Sequence, residues 1–155
     1  MGFGAVSVKG RALRYLAQRE HSRAELERKL ARHVEDEPQA SAQAQITAAL
    51  DDLAAKGLLS EARAAASVLS GRGQRFGVRR LKQTLQAKGL APDLVASTLL
   101  QARSTEYERA QEVWRRRFGA MPANAAEQAK QMRFLAGRGF EGDVIRRVLR
   151  PRDDD

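Results

Sequence analysis

Apolar positions fall at helical spacing along the whole chain. Leu26, Leu30 and Val34 stand at i, i+4 and i+8, one face of a helix. They follow Ser22 and Glu25, a pair spaced to form a capping box in which hydroxyl and carboxylate each satisfy one orphan N–H. The segment Arg11 to Glu20 puts Leu13 and Leu16 on one side, and Ile46, Leu50 and Leu53 form a similar face further on. Between them, Glu35 to Gln45 holds Glu35, Asp36, Glu37 and Pro38 and reads as an acidic connector. A second round follows: Ser60 to Ser70 with Ala65, Val68 and Leu69, a glycine-punctuated basic loop, then Leu81 with Leu85, and after Pro92 a helix with Val95 and Leu99. The third opens on Thr105 with Glu108, a second candidate capping box, before Val113 and Trp114. Asn124 with Glu127 then leads a helix holding Met132 and Leu135, and Val144, Ile145, Val148 and Leu149 close the series.

The second and third rounds superpose at an offset of 50 residues. Lys88-Gly89-Leu90 falls on Arg138-Gly139-Phe140, Asp93 on Asp143, Val95 on Ile145 and Leu99 on Leu149. Gly89 and Gly139 each sit where a helix ends in the left-handed conformation, with the next apolar residue folding back. The first round aligns less cleanly, Leu26 and Leu30 matching Leu81 and Leu85 without a glycine to follow; Lys56-Gly57-Leu58 ends a third helix instead. The pattern predicts an all-α fold, an elongated, curved array of three tandem three-helix repeats. The expected divisions are an N-terminal segment 1–10, repeats 11–59, 60–103 and 104–150, and an acidic tail 151–155.

Composition sharpens this. Among 155 residues there are 27 Ala and 17 Leu but only nine Val and two Ile, too few β-branched residues to supply many strands. Without cysteine there is no disulfide scaffold, thiolate nucleophile or Cys-based zinc site. No apolar run approaches the roughly 20 residues of a membrane span, and Met1 to Gly10 lacks the apolar core of a secretory signal. A soluble cytoplasmic protein is expected.

No catalytic constellation is legible. Gly71-Arg72-Gly73-Gln74-Arg75-Phe76-Gly77 lacks both the third glycine of a dinucleotide fingerprint and the Lys-Ser/Thr of a P-loop, so its glycines are expected to turn the chain between helices. His21 and His33 lack a zinc-binding pattern, and His21, just before Ser22, is expected to face solvent. Asp51 and Asp52 are helix neighbours pointing about 100° apart. No catalytic residue, metal ligand or cofactor is expected.

The strongest signal is electrostatic. Lys and Arg number 28 against 19 Asp and Glu, a formal +9, and 22 of the 28 are Arg, whose planar fork grips phosphate and carboxylate at two points. Gly71 to Leu90 holds six bases, Arg72, Arg75, Arg79, Arg80, Lys82 and Lys88, and no acid. Arg75, Arg79 and Lys82 are expected to share a face opposite Leu81 and Leu85. Further clusters stand at Arg115, Arg116 and Arg117, and at Arg146, Arg147 and Arg150. Trp114 and Phe118, flanking the middle cluster, read as core anchors rather than base-stacking platforms. By contrast Glu35 to Glu61 has a local balance of −5. These twelve bases are the candidate partner-binding residues, for DNA phosphates or an acidic protein surface.

Ser22 to Leu30, Lys56-Gly57-Leu58-Leu59-Ser60-Glu61, Arg72, and Arg79-Arg80-Leu81-Lys82-Gln83 through Lys88-Gly89-Leu90 resemble, in order, the bacterial RecX regulatory family, over roughly Ala12 to Leu149. Ser60-Glu61 and Ala64-Ala65 stand where that family usually has an Asp pair and an aromatic-Ala step, which implies looser packing of the helix there. The resemblance implies a non-enzymatic negative modulator of the RecA recombinase that binds in the groove of the RecA nucleoprotein filament. It implies suppression of ATP hydrolysis, strand exchange and coprotease activity, with weaker affinity for single- and double-stranded DNA. Independently of the resemblance, no membrane partner and a monomeric state are expected. A sequence-independent nucleic-acid-binding helical repeat protein is the alternative.

Overall fold

The computed structural model describes residues 6–151, and its elements there are helical: α1 (Val8–Gln18), α2 (Arg23–Ala31), α3 (Ala42–Ala55), α4 (Glu61–Ser70), a 3₁₀ turn (Arg72–Arg75), α5 (Val78–Ala87), α6 (Pro92–Ser104), α7 (Glu106–Arg117), α8 (Ala125–Gly137) and α9 (Gly142–Val148). Among the described residues the one β-type pairing is an isolated bridge between Glu37 and Ala40, inside the acidic connector. The acidic tail Asp153–Asp155 lies outside the described residues. The chain divides into two compact units, Met1–Ser67 with Ala87–Ala91, and Val68–Gln86 with Pro92–Asp155.

In the first unit α1, α2 and α3 pack against one another. Leu26, Leu30, Ile46, Leu50, Leu53 and Leu59 are buried around Ala12, and each such leucine contributes about 1.5–3 kcal/mol by leaving water. The inward stripe of α1 is the buried Ala12 with the partly buried Val8, Tyr15 and Leu16, and Leu13, expected on that side, is 38% exposed. Close approach selects the small Ala12 as the centre of the contact. Helix α2 ends before Val34, which still packs on the cluster from the connector.

The Ser22–Glu25 capping box forms with both halves present. His21 departs from expectation: it is fully buried. Its Nδ1 lies 3.0 Å from the Arg19 carbonyl and its Nε2 2.9 Å from Lys29 Nζ, an arrangement in which a neutral ring donates to the carbonyl and accepts from the ammonium. Burial, first, pulls the His21 pKa below its ordinary value. Asp51 and Asp52 diverge as expected, Asp51 pairing with Arg23 and Asp52 with Lys9 and Lys56.

In the second unit α7, α8 and α9 pack around Ala110, Leu135, Phe140, Ile145, Val148 and Leu149, with Trp114 half-buried against them. Trp114 Nε1 donates to the buried Gln131 at 2.8 Å, so it is a core anchor with a satisfied polar end. Asn124 caps α8 through the Glu127 amide. Thr105 forms no capping box, because α6 runs to Ser104 and α7 begins at Glu106, leaving no open helix start. Its hydroxyl instead lies between the Ala102 carbonyl and Arg109 Nε.

The positions paired by the 50-residue offset behave alike. Gly89 and Gly139 have φ of +67° and +87°, and Leu90 and Phe140 after them are buried. Ala64 and Ala65 of α4, where looser packing was expected, are also buried, at 2% and 1% exposure.

Candidate functional site

The basic loop folds because its glycines admit close backbone. A Cβ at Gly73 would lie 2.0 Å from the Val68 carbonyl oxygen, and one at Gly77 would lie 2.2 Å from the Phe140 nitrogen. The Gly77 amide donates to the Arg138 carbonyl at 2.8 Å and the Arg79 amide to the Gly139 carbonyl at 3.0 Å. These two bonds fasten the start of α5 to the turn between α8 and α9. Arg109, whose pKa burial pulls below the ordinary guanidinium value, supports the loop from beneath by donating to the carbonyls of Phe76, Gly73 and Ala102.

This fastening builds a ladder of alternating cations and rings. The Arg80 guanidinium carbon sits 4.0 Å from the Phe76 ring centroid, and Arg138 lies 5.9 Å from the same ring. Arg138 is also 5.1 Å from Phe134, which Arg117 approaches to 5.7 Å. Arg117 is 5.4 Å from Phe118, whose ring meets Phe134 edge-on at 5.4 Å. Each such contact is worth about 0.5–1 kcal/mol at an exposed site. Its larger effect is to hold a long flexible cation in one place while leaving the charge unneutralised. Among the described residues Arg80, Arg117 and Arg138 form no ion pair.

Helix α7 carries a cleft on either side. One, of about 460 Å³, is lined by Arg75, Arg116, Arg117, Arg138, Val113 and Phe134 together with Gly71, Gln74 and Glu112. The other, of about 820 Å³, is lined by Tyr107, Trp114, Met121, Arg115, Arg147 and Arg150 among others. Arg147 stacks 3.8 Å from the Tyr107 centroid. The Arg115–Arg117 run therefore serves both clefts, since successive helical residues point in different directions. Glu112 bonds Arg115 and Arg116 at 2.8–3.0 Å, and those hydrogen bonds hold its pKa at about 2.

The sequence-derived candidates separate into two environments. Arg72, Arg75, Arg79, Arg80, Lys82, Arg115, Arg116, Arg117, Arg146, Arg147 and Arg150 are all exposed and lie in the second unit. Arg75, expected beside Arg79 and Lys82 on one helix, instead belongs to the 3₁₀ turn; Phe76 and Gly77 intervene before α5, and Arg75 joins the first cleft. Lys88 belongs to the first unit and pairs with Glu25 at 2.9 Å, its side chain 19% exposed. Sequence reasoning missed Arg138, Phe76 and Phe134 as site residues. The available signal was the spacing of Phe76–Arg80 and Phe134–Arg138, both i and i+4.

Among the described residues no group of three His, Asp or Glu could hold a metal ion, and no helix is long and apolar enough to cross a membrane. Fold and surface define an all-α helical-repeat protein whose charged groups form a pre-positioned arginine array. A model of the third three-helix domain of RecX matches residues 104–149, and one of the first three-helix domain matches residues 9–41. The chain is 56% identical to the regulatory protein RecX of Leptothrix cholodnii over 150 residues, 97% of this chain and 92% of that one. It is 44% identical to that of Ralstonia nicotianae over 148 residues, 96% and 89% of the two. The crystal structure of RecX from Lactobacillus salivarius shares the fold, with a TM-score of 0.70 at 20% identity over 92% of each chain. The chain belongs to the RecX family.

Proposed function

We propose that this chain is a negative modulator of the RecA recombinase, binding in the groove of the RecA–DNA filament and suppressing its ATPase, strand exchange and coprotease activity. Membership of a family of regulatory proteins supports the reading, and the observation that carries it physically is the ladder Arg80–Phe76–Arg138–Phe134–Arg117. Guanidinium groups held on rings have lost much of their rotamer freedom before binding, so less affinity is spent ordering them against a polymeric anion. Around the ladder, Arg72, Arg75, Arg79, Lys82, Arg115, Arg116, Arg146, Arg147 and Arg150 extend the basic surface toward DNA phosphates or acidic protein groups. Three three-helix repeats, 11–59, 60–103 and 104–150, are the structural units in this reading, and the chain acts as a non-enzymatic cytoplasmic monomer with weaker affinity for bare DNA.

The test is RecA ATPase on single-stranded DNA with increasing amounts of this protein. Inhibition is expected to persist at salt that abolishes binding to bare DNA, because pure phosphate binding falls with a log–log slope of about −0.9 per phosphate on duplex and about −0.7 on single strands. No inhibition at excess protein, with DNA binding retained, replaces this reading with a sequence-independent nucleic-acid binder.

A further inference from the structure

The cleft between the 3₁₀ turn, α7 and α8 is a concave site of about 460 Å³, within the roughly 300–1,000 Å³ range of small-molecule sites. Four guanidinium groups line it, from Arg75, Arg116, Arg117 and Arg138, against one carboxylate, Glu112. That carboxylate is already bonded to Arg115 and Arg116. Arg75, Arg117 and Arg138 make no ion pair among the described residues, and the last two are held in place by the Phe134 ring. Three unpaired forks therefore line one small space whose remaining wall combines the apolar Val113 and Phe134 with the neutral amide of Gln74.

We propose that this cleft is a binding site for condensed phosphate, as a free polyphosphate or the polyphosphate group of a nucleotide. It does not depend on the filament reading. Condensed phosphates place several charges on oxygens a bond or two apart, matching forks crowded into one cleft. An acidic peptide instead spaces its carboxylates by about 3.4 Å per residue of extended chain, to alternate sides, and suits a longer groove. Arginine rather than lysine at all four positions fits planar, two-point recognition of phosphate oxygens.

The experiment is titration calorimetry of the full chain with inorganic tripolyphosphate at fixed ionic strength. It compares the parent with Arg75→Gln/Arg117→Gln and with Arg14→Gln/Arg103→Gln, which removes equal charge at exposed residues outside the cleft. Arg75→Gln alone, at an exposed residue with no ion pair, guards against a folding defect in the double variant. The expected result is at least about a tenfold loss of tripolyphosphate affinity in the cleft double variant, a smaller loss in Arg75→Gln, and little change in the off-cleft control. Lack of competition by an oligothymidylate without terminal phosphates, whose phosphates are separated by sugars, supports the condensed-phosphate assignment, and equal competition overturns it. Absence of tripolyphosphate binding, equal losses in both double variants, or tighter cleft-dependent binding of hexaglutamate overturns the proposal.

Discussion

Lys88 reaches Glu25 across 63 positions of sequence, its ammonium 2.9 Å from Oε1. Glu25 simultaneously accepts from Arg19 at 2.7 Å and from the Ser22 amide at 3.1 Å, while the Ser22 hydroxyl donates to the Lys88 carbonyl at 2.6 Å. A helix cap is thereby extended into a tertiary clamp inside the first unit. Lys88→Met is expected to lower unfolding free energy by about 1–3 kcal/mol, less than a fully isolated buried charge would cost, because Arg19 remains. Urea denaturation measures it. In a cycle with Glu25→Gln, the two losses should couple by at least about 0.5 kcal/mol. Additive losses would show that the pair contributes nothing specific.

The same carboxylate sets a pH dependence. Burial alone would raise its pKa, but hydrogen bonds from Arg19, Lys88 and the Ser22 amide outweigh it and bring the value from 4.5 to about 2. A depressed carboxylate stabilises the fold above its unfolded pKa and loses that contribution as pH falls toward the folded value. The loss is therefore expected between about pH 4.5 and 2, amounting to at most about 3 kcal/mol at 1.36 kcal/mol per unit, and less as solvent screens the pairs. His21, whose pKa is lowered chiefly by burial, adds a loss as pH falls below 6.5. Chemical denaturation across pH should show both, and Glu25→Gln should flatten the acid limb. An unchanged acid limb in that variant would place the depression elsewhere.

Glycine substitutions should separate conformational strain from steric exclusion. Gly57 has φ of +75° with nothing within 4 Å of a built Cβ, so Gly57→Ala is expected to cost only about 1 kcal/mol, the left-handed penalty. Gly139 has φ of +87° and its Cβ would lie 2.6 Å from the Arg80 amide nitrogen, and a Gly77 Cβ would lie 2.2 Å from the Phe140 amide nitrogen. Both neighbours are backbone and cannot swing aside. Gly139→Ala and Gly77→Ala should each cost more than about 3 kcal/mol by thermal or urea unfolding. Similar costs at Gly57 and Gly139 would mean the crowding is relieved cheaply.

What was legible in the sequence was local. Ser22 with Glu25, Asn124 with Glu127, and Gly89 and Gly139 after their helices act within one turn, and each takes the expected role. Burial of His21 and exposure of Leu13 are tertiary outcomes, decided by Lys29 and by the fit at Ala12, whereas Thr105 fails to cap because α6 ends at Ser104 and α7 starts at Glu106, a junction that spacing alone did not mark. The site divides the same way. The basic runs were visible as charge, but the ladder joins Phe76 and Arg80 to Phe134 and Arg138 through the Gly77–Arg138 hydrogen bond, a non-local contact that no run of bases encodes.

If pre-positioning rather than charge alone sets affinity, removing a ring should weaken anion binding without altering charge. Phe76 supports Arg80 at 4.0 Å and Arg138 at 5.9 Å. Phe76→Leu keeps an apolar side chain of similar bulk but removes the π face beneath both cations. Two contacts of about 0.5–1 kcal/mol each predict a loss of roughly five- to thirtyfold in affinity for single-stranded DNA. The log–log salt slope counts neutralised phosphates, so it should stay at the parent value because every arginine remains. Fluorescence anisotropy over a salt series reads both quantities at once. On the proposed function, the triple reversal Arg79→Glu/Arg80→Glu/Lys82→Glu should instead flatten the slope and weaken inhibition of RecA ATPase while leaving helicity by circular dichroism intact. Should Phe76→Leu bind as tightly as the parent, the rings serve packing alone and the ladder is not what orders the arginines.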